Sequence, residues 1–198
     1  WYDDATGGPV LAESLTFTTP PLTSGAEYWV ASYDNSIGCE SDRRRVRIFI
    51  HDIPDEPGIA DIQHCGDASV TLPATIGNGG NTNRWYDSPA GGNLLAQSES
   101  YTTPVLTGPV TYWVSSYNDS TGCESDRAPV TAKIDKIPDT PGISNASRCG
   151  EGTVDLVSSI GNNGTANRWY NAPVGGILLD TVLTYTTPYL SASATYWV

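Results

Sequence analysis

The chain has 198 residues with 20 Gly, 14 Pro, no Met and 38% hydrophobic residues, a balance that suits a turn-punctuated β-protein and argues against a helical one. Ten Lys and Arg against 22 Asp and Glu give a formal charge of −12, which repels phosphate backbones and anionic bilayers and so argues against nucleic acid as a partner. No apolar run approaches the roughly 18 residues that would span a bilayer, so no membrane insertion is expected of this segment.

At an offset of 84 residues the chain superposes on itself without a gap: Trp1, Trp85 and Trp169 align, as do "YWV" at 28–30, 112–114 and 196–198 and "TTP" at 18, 102 and 186. The segments "DIPDEPGI" (52–59) and "KIPDTPGI" (136–143) align too, and their Pro-Asp-x-Pro-Gly core cannot continue a β-ladder, which marks them as linkers. Residues 1–53 therefore read as the C-terminal part of one repeat, 54–137 as a complete repeat and 138–198 as the N-terminal part of a third. Both ends, "WYDD" and "TYWV", read as the middles of strands, so the sequence is expected to be a window on a longer chain.

Within 54–137, β-branched and aromatic runs alternate with turn residues. In chain order they predict strands at 58–64 (A), 69–75 (B), 83–88 (C), 93–98 (C'), 101–105 (E), 111–117 (F) and 129–134 (G). The glycines of "SPAGGN" permit a tight C to C' hairpin. This spacing predicts an all-β fold of tandem immunoglobulin-like or fibronectin-III-like β-sandwiches. Leu106 precedes Tyr112 by six residues, as Leu22 precedes Tyr28 and Leu190 precedes Tyr196, the spacing of a tyrosine corner whose hydroxyl returns to the backbone between E and F. With Tyr112 and Trp85 inward, alternation sends Tyr86, Trp113, Ser115 and Tyr117 outward. The expected result is an exposed aromatic strip of Tyr86, Trp113 and Tyr117, repeated as Tyr2, Trp29 and Tyr33.

Four cysteines recur at two positions per period: Cys39 with Cys123, inside the repeated hexapeptide "GCESDR", and Cys65 with Cys149. There is no CxxC, and His51 and His64 align with Asp135 and Arg148, so neither a zinc site nor an activated thiol is indicated. Disulfides in a secreted protein remain. In an immunoglobulin-like strand order, Cys65 and Cys123 fall at opposite ends of a strand of about eight residues, roughly 26 Å, against the 4.4–6.8 Å between Cα atoms that a disulfide requires. This favours bridges between adjacent repeats, with a bridge inside one repeat as the alternative. The carboxylates Asp119, Glu124 and Asp126 at the hairpin and Asp52 and Asp55 at the linker are candidate calcium ligands, against the reading of solvated charges partly neutralised by Arg127 or the run Arg43–Arg45.

The segments "QHCGDASVTL", "RWYDSPAGGNLL" and "YTTPVLTGPVTYWVSSYNDSTGCESDRAPVTAKI" resemble the immunoglobulin-like repeats of very large surface and secreted proteins of Bacteroidota, among them gliding-motility adhesins and proteins exported by the type IX pathway. The resemblance covers the whole chain and implies an extracellular, cell-surface stalk or adhesin. Asp119-Ser120-Thr121 and Asp180-Thr181-Val182 also resemble the O-glycosylation triplets of that phylum. The first copy departs from the pattern in having "RRRVRIFI" where the second has "RAPVTAKI".

Two functional readings follow. In the first, the repeats form a semi-rigid fibre whose partners are neighbouring repeats of the same chain. In the second, the aromatic strip packs against an extracellular glycan or a surface protein. No paired-carboxylate cleft, Ser/His/Asp arrangement or metal constellation recurs between copies, so an enzyme and a bound cofactor are not expected.

Overall fold

The computed structural model describes residues 1–198, and it contains strands and turns but no helix. Packing follows two compact units, residues 1–60 with 73–101 and 112–130 in one, and 61–72 with 102–111 and 131–198 in the other. In chain order, the first repeat holds β1 (Ala26–Val30), β2 (Tyr33–Asp34), β3 (Cys39–Glu40) and β4 (Arg44–Ile48), with β1 antiparallel to β4 and β2 to β3. The middle repeat holds β5 (Gly58–Ile59), β6 (Ile62–Cys65), β7 (Thr71–Thr75), β8 (Thr82–Tyr86), β9 (Leu94–Gln97), β10 (Ser100–Thr102), β11 (Val110–Asn118), β12 (Cys123–Glu124) and β13 (Ala128–Asp135). The third holds β14 (Gly142–Ile143), β15 (Asp155–Ser159), β16 (Trp169–Tyr170), β17 (Leu178–Asp180) and β18 (Thr184–Thr186).

The strands of the middle repeat form two sheets, one in the order β10-β7-β5 and one in the order β6-β13-β11-β8-β9, with β12 added to β11. Alternation decides which residues the sheets enclose: along β13, Ala128, Val130, Ala132 and Ile134 are buried and the residues between them are not. Leu72, Trp85, Val114, Val130 and Ala132 have no exposed surface. The third repeat follows the same rule in its order β14-β15-β18, with Trp169 and Tyr185 buried.

Each repeat contains an aromatic triad. Trp85 stacks on Tyr101 at 5.9 Å, and Tyr101 meets Tyr112 at 5.1 Å. Trp1, Phe17 and Tyr28 repeat the arrangement at 5.9 and 5.1 Å, and Trp169, Tyr185 and Tyr196 at 5.7 and 5.4 Å. The indole N–H of each tryptophan donates to a carbonyl, Ser14, Ser98 or Val182, at 2.9 to 3.0 Å, which satisfies the one polar group that burying the ring would strand.

Two expectations need correction. The A strand is broken, not continuous over 58–64: β5 joins β7 in one sheet, while β6 runs parallel to β13 in the other. Asp61 lies at the break and its Oδ1 accepts the Thr131 N–H at 2.8 Å, so a side chain replaces ladder pairing where the chain changes sheets. The tyrosine corner is met only in part. Tyr112 and Leu106 are buried, but the Tyr112 ring packs on Tyr101 and its hydroxyl makes no hydrogen bond to the turn backbone.

Each linker is held against its own repeat. Asp55 N–H donates to the Asn78 carbonyl at 2.9 Å, and Asp139 N–H donates to the Asn162 carbonyl at the same distance. Gly77 and Gly161 make room for this contact, because a Cβ at either position would overlap the backbone carbonyl of Asp55 or Asp139. Gly77→Ala is therefore expected to cost about 1–3 kcal/mol and to open the linker near Asp52–Pro57 to proteolysis. Thermal unfolding and limited digestion measure both effects, and an unchanged digestion pattern would contradict the assignment.

Candidate functional site: the aromatic sheet face

The predicted strip lies on β8 and β11, whose register pairs Trp113 with Tyr86, Val114 with Trp85, Ser115 with Arg84 and Tyr117 with Thr82. Trp113 and Tyr86 are cross-strand neighbours, as expected. The strip is not open, however. Tyr86 is 7% exposed and Ser115 fully buried, while Trp113 and Tyr117 are half-buried.

The cover comes from "GCESDR". Cys123 and Glu124 pair with Asn118 and Tyr117 in a hairpin whose tip, Gly122, has φ +74°, a left-handed conformation that favours glycine. This register returns Glu124 over the sheet face, where its carboxylate accepts from the Tyr86 hydroxyl at 2.6 Å, the Ser115 hydroxyl at 2.6 Å and Arg84 Nη1 at 2.9 Å. Arg84 stands 3.2 Å above the Tyr117 ring, and Arg127 stands 3.2 Å above Tyr86. Arg127 Nη1 also donates to the carbonyls of Ser88 and Gly91, at 2.7 Å each, tying the hairpin to the β8–β9 turn. Ser125 completes the clasp: its N–H donates to the Ser116 carbonyl and its Oγ accepts the Ser116 N–H, both at 2.9 Å.

The first repeat builds the serine and arginine parts of this clasp, with Ala31 where the middle repeat has Ser115. Ser41 exchanges the equivalent bonds with Ser32, Arg43 stands 3.2 Å above Tyr2, and Arg43 Nη1 donates to the carbonyls of Asp4 and Gly7 at 2.9 and 2.6 Å. Tyr2 and Trp29 are half-buried, and Tyr33 is exposed. Tyr86, Tyr117 and Tyr2 are therefore corrected from exposed platform residues to covered ones, because alternation fixes the face but not what folds back over it.

Burial alone would raise the Glu124 carboxyl, but the hydrogen bonds from Ser115, Tyr86 and Arg84 together outweigh it and hold the group below its ordinary value. Burial, and then the hydrogen bond to Glu124, push the Tyr86 phenol up. These shifts describe a satisfied polar network, not a group poised to transfer protons.

The acidic residues proposed for calcium do not converge: no group of three or more His, Cys, Asp or Glu side chains is placed to hold a metal. Glu124 is committed to the clasp, and Asp119 Oδ1 accepts Gln97 Nε2 at 3.0 Å. Asp126, Asp52 and Asp55 are exposed. The four thiols are unpaired, with Cys39, Cys65 and Cys149 exposed and Cys123 half-buried. His51 stacks on Phe49 and His64 Nδ1 lies 3.2 Å from the Gly66 carbonyl, both on the surface. Sequence reasoning gave Arg43 and Arg127 only as neutralising charges and missed their place over Tyr2 and Tyr86, as well as Ser41, Ser125 and the clasp role of Glu124. Their recurrence at the same 84-residue offset as Tyr2 and Tyr86 was the available signal.

Two sheets with an edge strand that changes partner in the middle repeat, and a matching aromatic triad in all three copies, define a protein of tandem immunoglobulin-like repeats. The chain belongs to the family described as "Ig-like domain CHU_C associated", a Bacteroidota-linked family, whose model matches residues 1–51, 54–135 and 138–198. No curated protein matches. Among solved structures, one described as "Ca2+-stabilized adhesin helps an Antarctic bacterium reach out and bind ice" is similar at 12% identity and a TM-score of 0.36, over 85% of this chain and 48% of that one. The chain thus spans about half the length of that structure. No helix is long and apolar enough to cross a membrane.

Proposed function

We propose that the chain is a stalk segment of a cell-surface or secreted protein, in which immunoglobulin-like repeats joined end to end hold other parts of a larger molecule away from the cell. The observation that carries this reading is the repetition of the linker attachment: Asp55 to Asn78 and Asp139 to Asn162, each beside a glycine that leaves room for the chain. A linker tied to its own repeat at the same place in successive copies leaves fewer free residues at each joint, which limits bending, and neighbouring repeats are then the principal partners. The polar network over the sheet face serves stability on this reading, and no enzymatic role is assigned. Gliding motility and type IX export fit this setting and stand with the proposal. Small-angle scattering of the chain is expected to give a rod-like profile, and a compact profile would overturn the reading.

A second reading keeps a place because Trp113 is half-buried and has no guanidinium above it, unlike Tyr86 and Tyr117. On that reading Trp113 stacks on a sugar ring or a partner side chain. Glycan-array binding that falls at least tenfold in Trp113→Ala would favour it, whereas no binding by the parent chain leaves the stalk reading alone.

A further inference from the structure

Two geometric facts separate the cysteines of one repeat. Cys65 is in parallel register with Asp135, the last residue of β13, and Gly66 N–H donates to the Asp135 carbonyl at 2.7 Å. Cys123 precedes the first residue of the same strand, opposite Asn118. The eight residues of β13, at about 3.3 Å each, cover about 26 Å. A bridge within one repeat would need Cα atoms about 4.4–6.8 Å apart.

The Cys123 hairpin has a defined seat. Asn118 Nδ2 donates to the Gly79 carbonyl at 2.7 Å, and Asp119 N–H donates to Asn81 Oδ1 at 3.1 Å, so the hairpin rests on the β7–β8 loop. The residue equivalent to Gly79 in the third repeat is Asn163. Gly79 has φ +83°, and Asn163, with φ 61°, is the one non-glycine residue of the chain with positive φ, so the loop keeps its form. Asn163 lines a cleft of about 530 Å³ with Gly108, Pro109, Asp135 and Lys136. The seat for the third repeat's hairpin therefore lies at the end of β13 where Cys65 is held, and the Cys65 thiol is exposed there.

We propose that Cys65 forms a disulfide with the hairpin cysteine of the repeat that follows it, the counterpart of Cys123 one period further along. Cys149 would be bridged in the same way, and Cys39 and Cys123 would each be bridged to the repeat before. Two thiols lose two protons and two electrons as the S–S bond forms, and a dithiol-oxidising disulfide of the exterior takes them up, here represented by oxidised glutathione, which is reduced to two molecules of the thiol. The inference rests on the stalk reading, since it requires consecutive repeats to meet end to end.

The test duplicates the complete repeat in place, residues 1–137 followed by 54–198, with Cys123→Ser in the first complete copy and Cys65→Ser in the second. One cross-copy pair then remains. After exposure to oxidised glutathione, a non-reducing digest is expected to contain the Cys65 peptide linked to the Cys123 peptide, and both thiols are expected to lose about tenfold in iodoacetamide reactivity. Full alkylation of both in a chain with native tryptophan fluorescence overturns the proposal. The parent 1–198 chain under the same oxidant is expected to yield no Cys65–Cys123 linked peptide, and finding one also overturns it, whether or not the longer chain folds. Scattering separates the two ideas: a rod-like profile with Cys65 free removes the disulfide and keeps the stalk, whereas a compact profile with no link removes both.

Discussion

Trp85→Ala is expected to destabilise the middle repeat by about 3–5 kcal/mol, a large share of what a domain of this size possesses. The indole has no exposed surface, lies against Tyr101 and donates to the Ser98 carbonyl at 3.0 Å. Truncation therefore opens a cavity under the aromatic triad and leaves that carbonyl without its donor. Trp85→Phe keeps most of the apolar contact and loses only the hydrogen bond and part of the volume, so about 1–2 kcal/mol is expected. Urea unfolding of the two variants measures both values. A loss below about 1 kcal/mol for the alanine variant would mean that the triad is not the centre of the core.

The second large effect is expected at Glu124. Its replacement by Ala removes the acceptor shared by Tyr86, Ser115 and Arg84, of which Tyr86 and Ser115 are buried. With the Glu124 side chain 26% exposed, the expected cost is about 2–4 kcal/mol, below that of a fully buried pair. Glu124→Gln keeps the shape but weakens the charge-assisted bonds, with about 1–2 kcal/mol expected. The pH dependence follows from the direction of the shifts. The folded-state carboxyl lies below its ordinary 4.5, so its stabilisation is complete above that value and is lost as pH falls through the folded value. The Tyr86 phenol lies above its ordinary 10.0, so its contribution is complete below that value and is lost as pH rises through the folded one. Urea midpoints between these limits should be flat in the parent. Below pH 4.5 the parent should lose stability faster than Glu124→Gln, and equal acid-side slopes in the two proteins would contradict the network.

Much of the fold was legible in the sequence because its signals are periodic. The 84-residue offset set the linkers apart and aligned Trp1, Trp85 and Trp169, and period-two alternation placed Trp85 inward and Trp113 and Tyr86 on one face, where they are cross-strand neighbours. What escaped was non-local. Arg127 comes to cover Tyr86 from 41 positions along the chain, through a hairpin register that no strand pattern encodes. The break in the A strand turned on one side chain, Asp61, whose acceptor could be matched to Thr131 only once β6 was known to lie beside β13. The tyrosine-corner spacing correctly indicated a buried Tyr112 but not the destination of its hydroxyl, which depends on the turn geometry that follows Leu106.

The parallel alignment of β6 with β13 has a mechanical consequence. Tension applied to the entry and exit of the middle repeat draws these two strands lengthwise past each other, in opposite directions. The hydrogen bonds between Ile62–Cys65 and Ala132–Asp135 are then loaded together and not peeled open one after another, so rupture requires all of them to fail within a short extension. If the chain serves as the proposed stalk, it would give little under drag until a threshold load is reached.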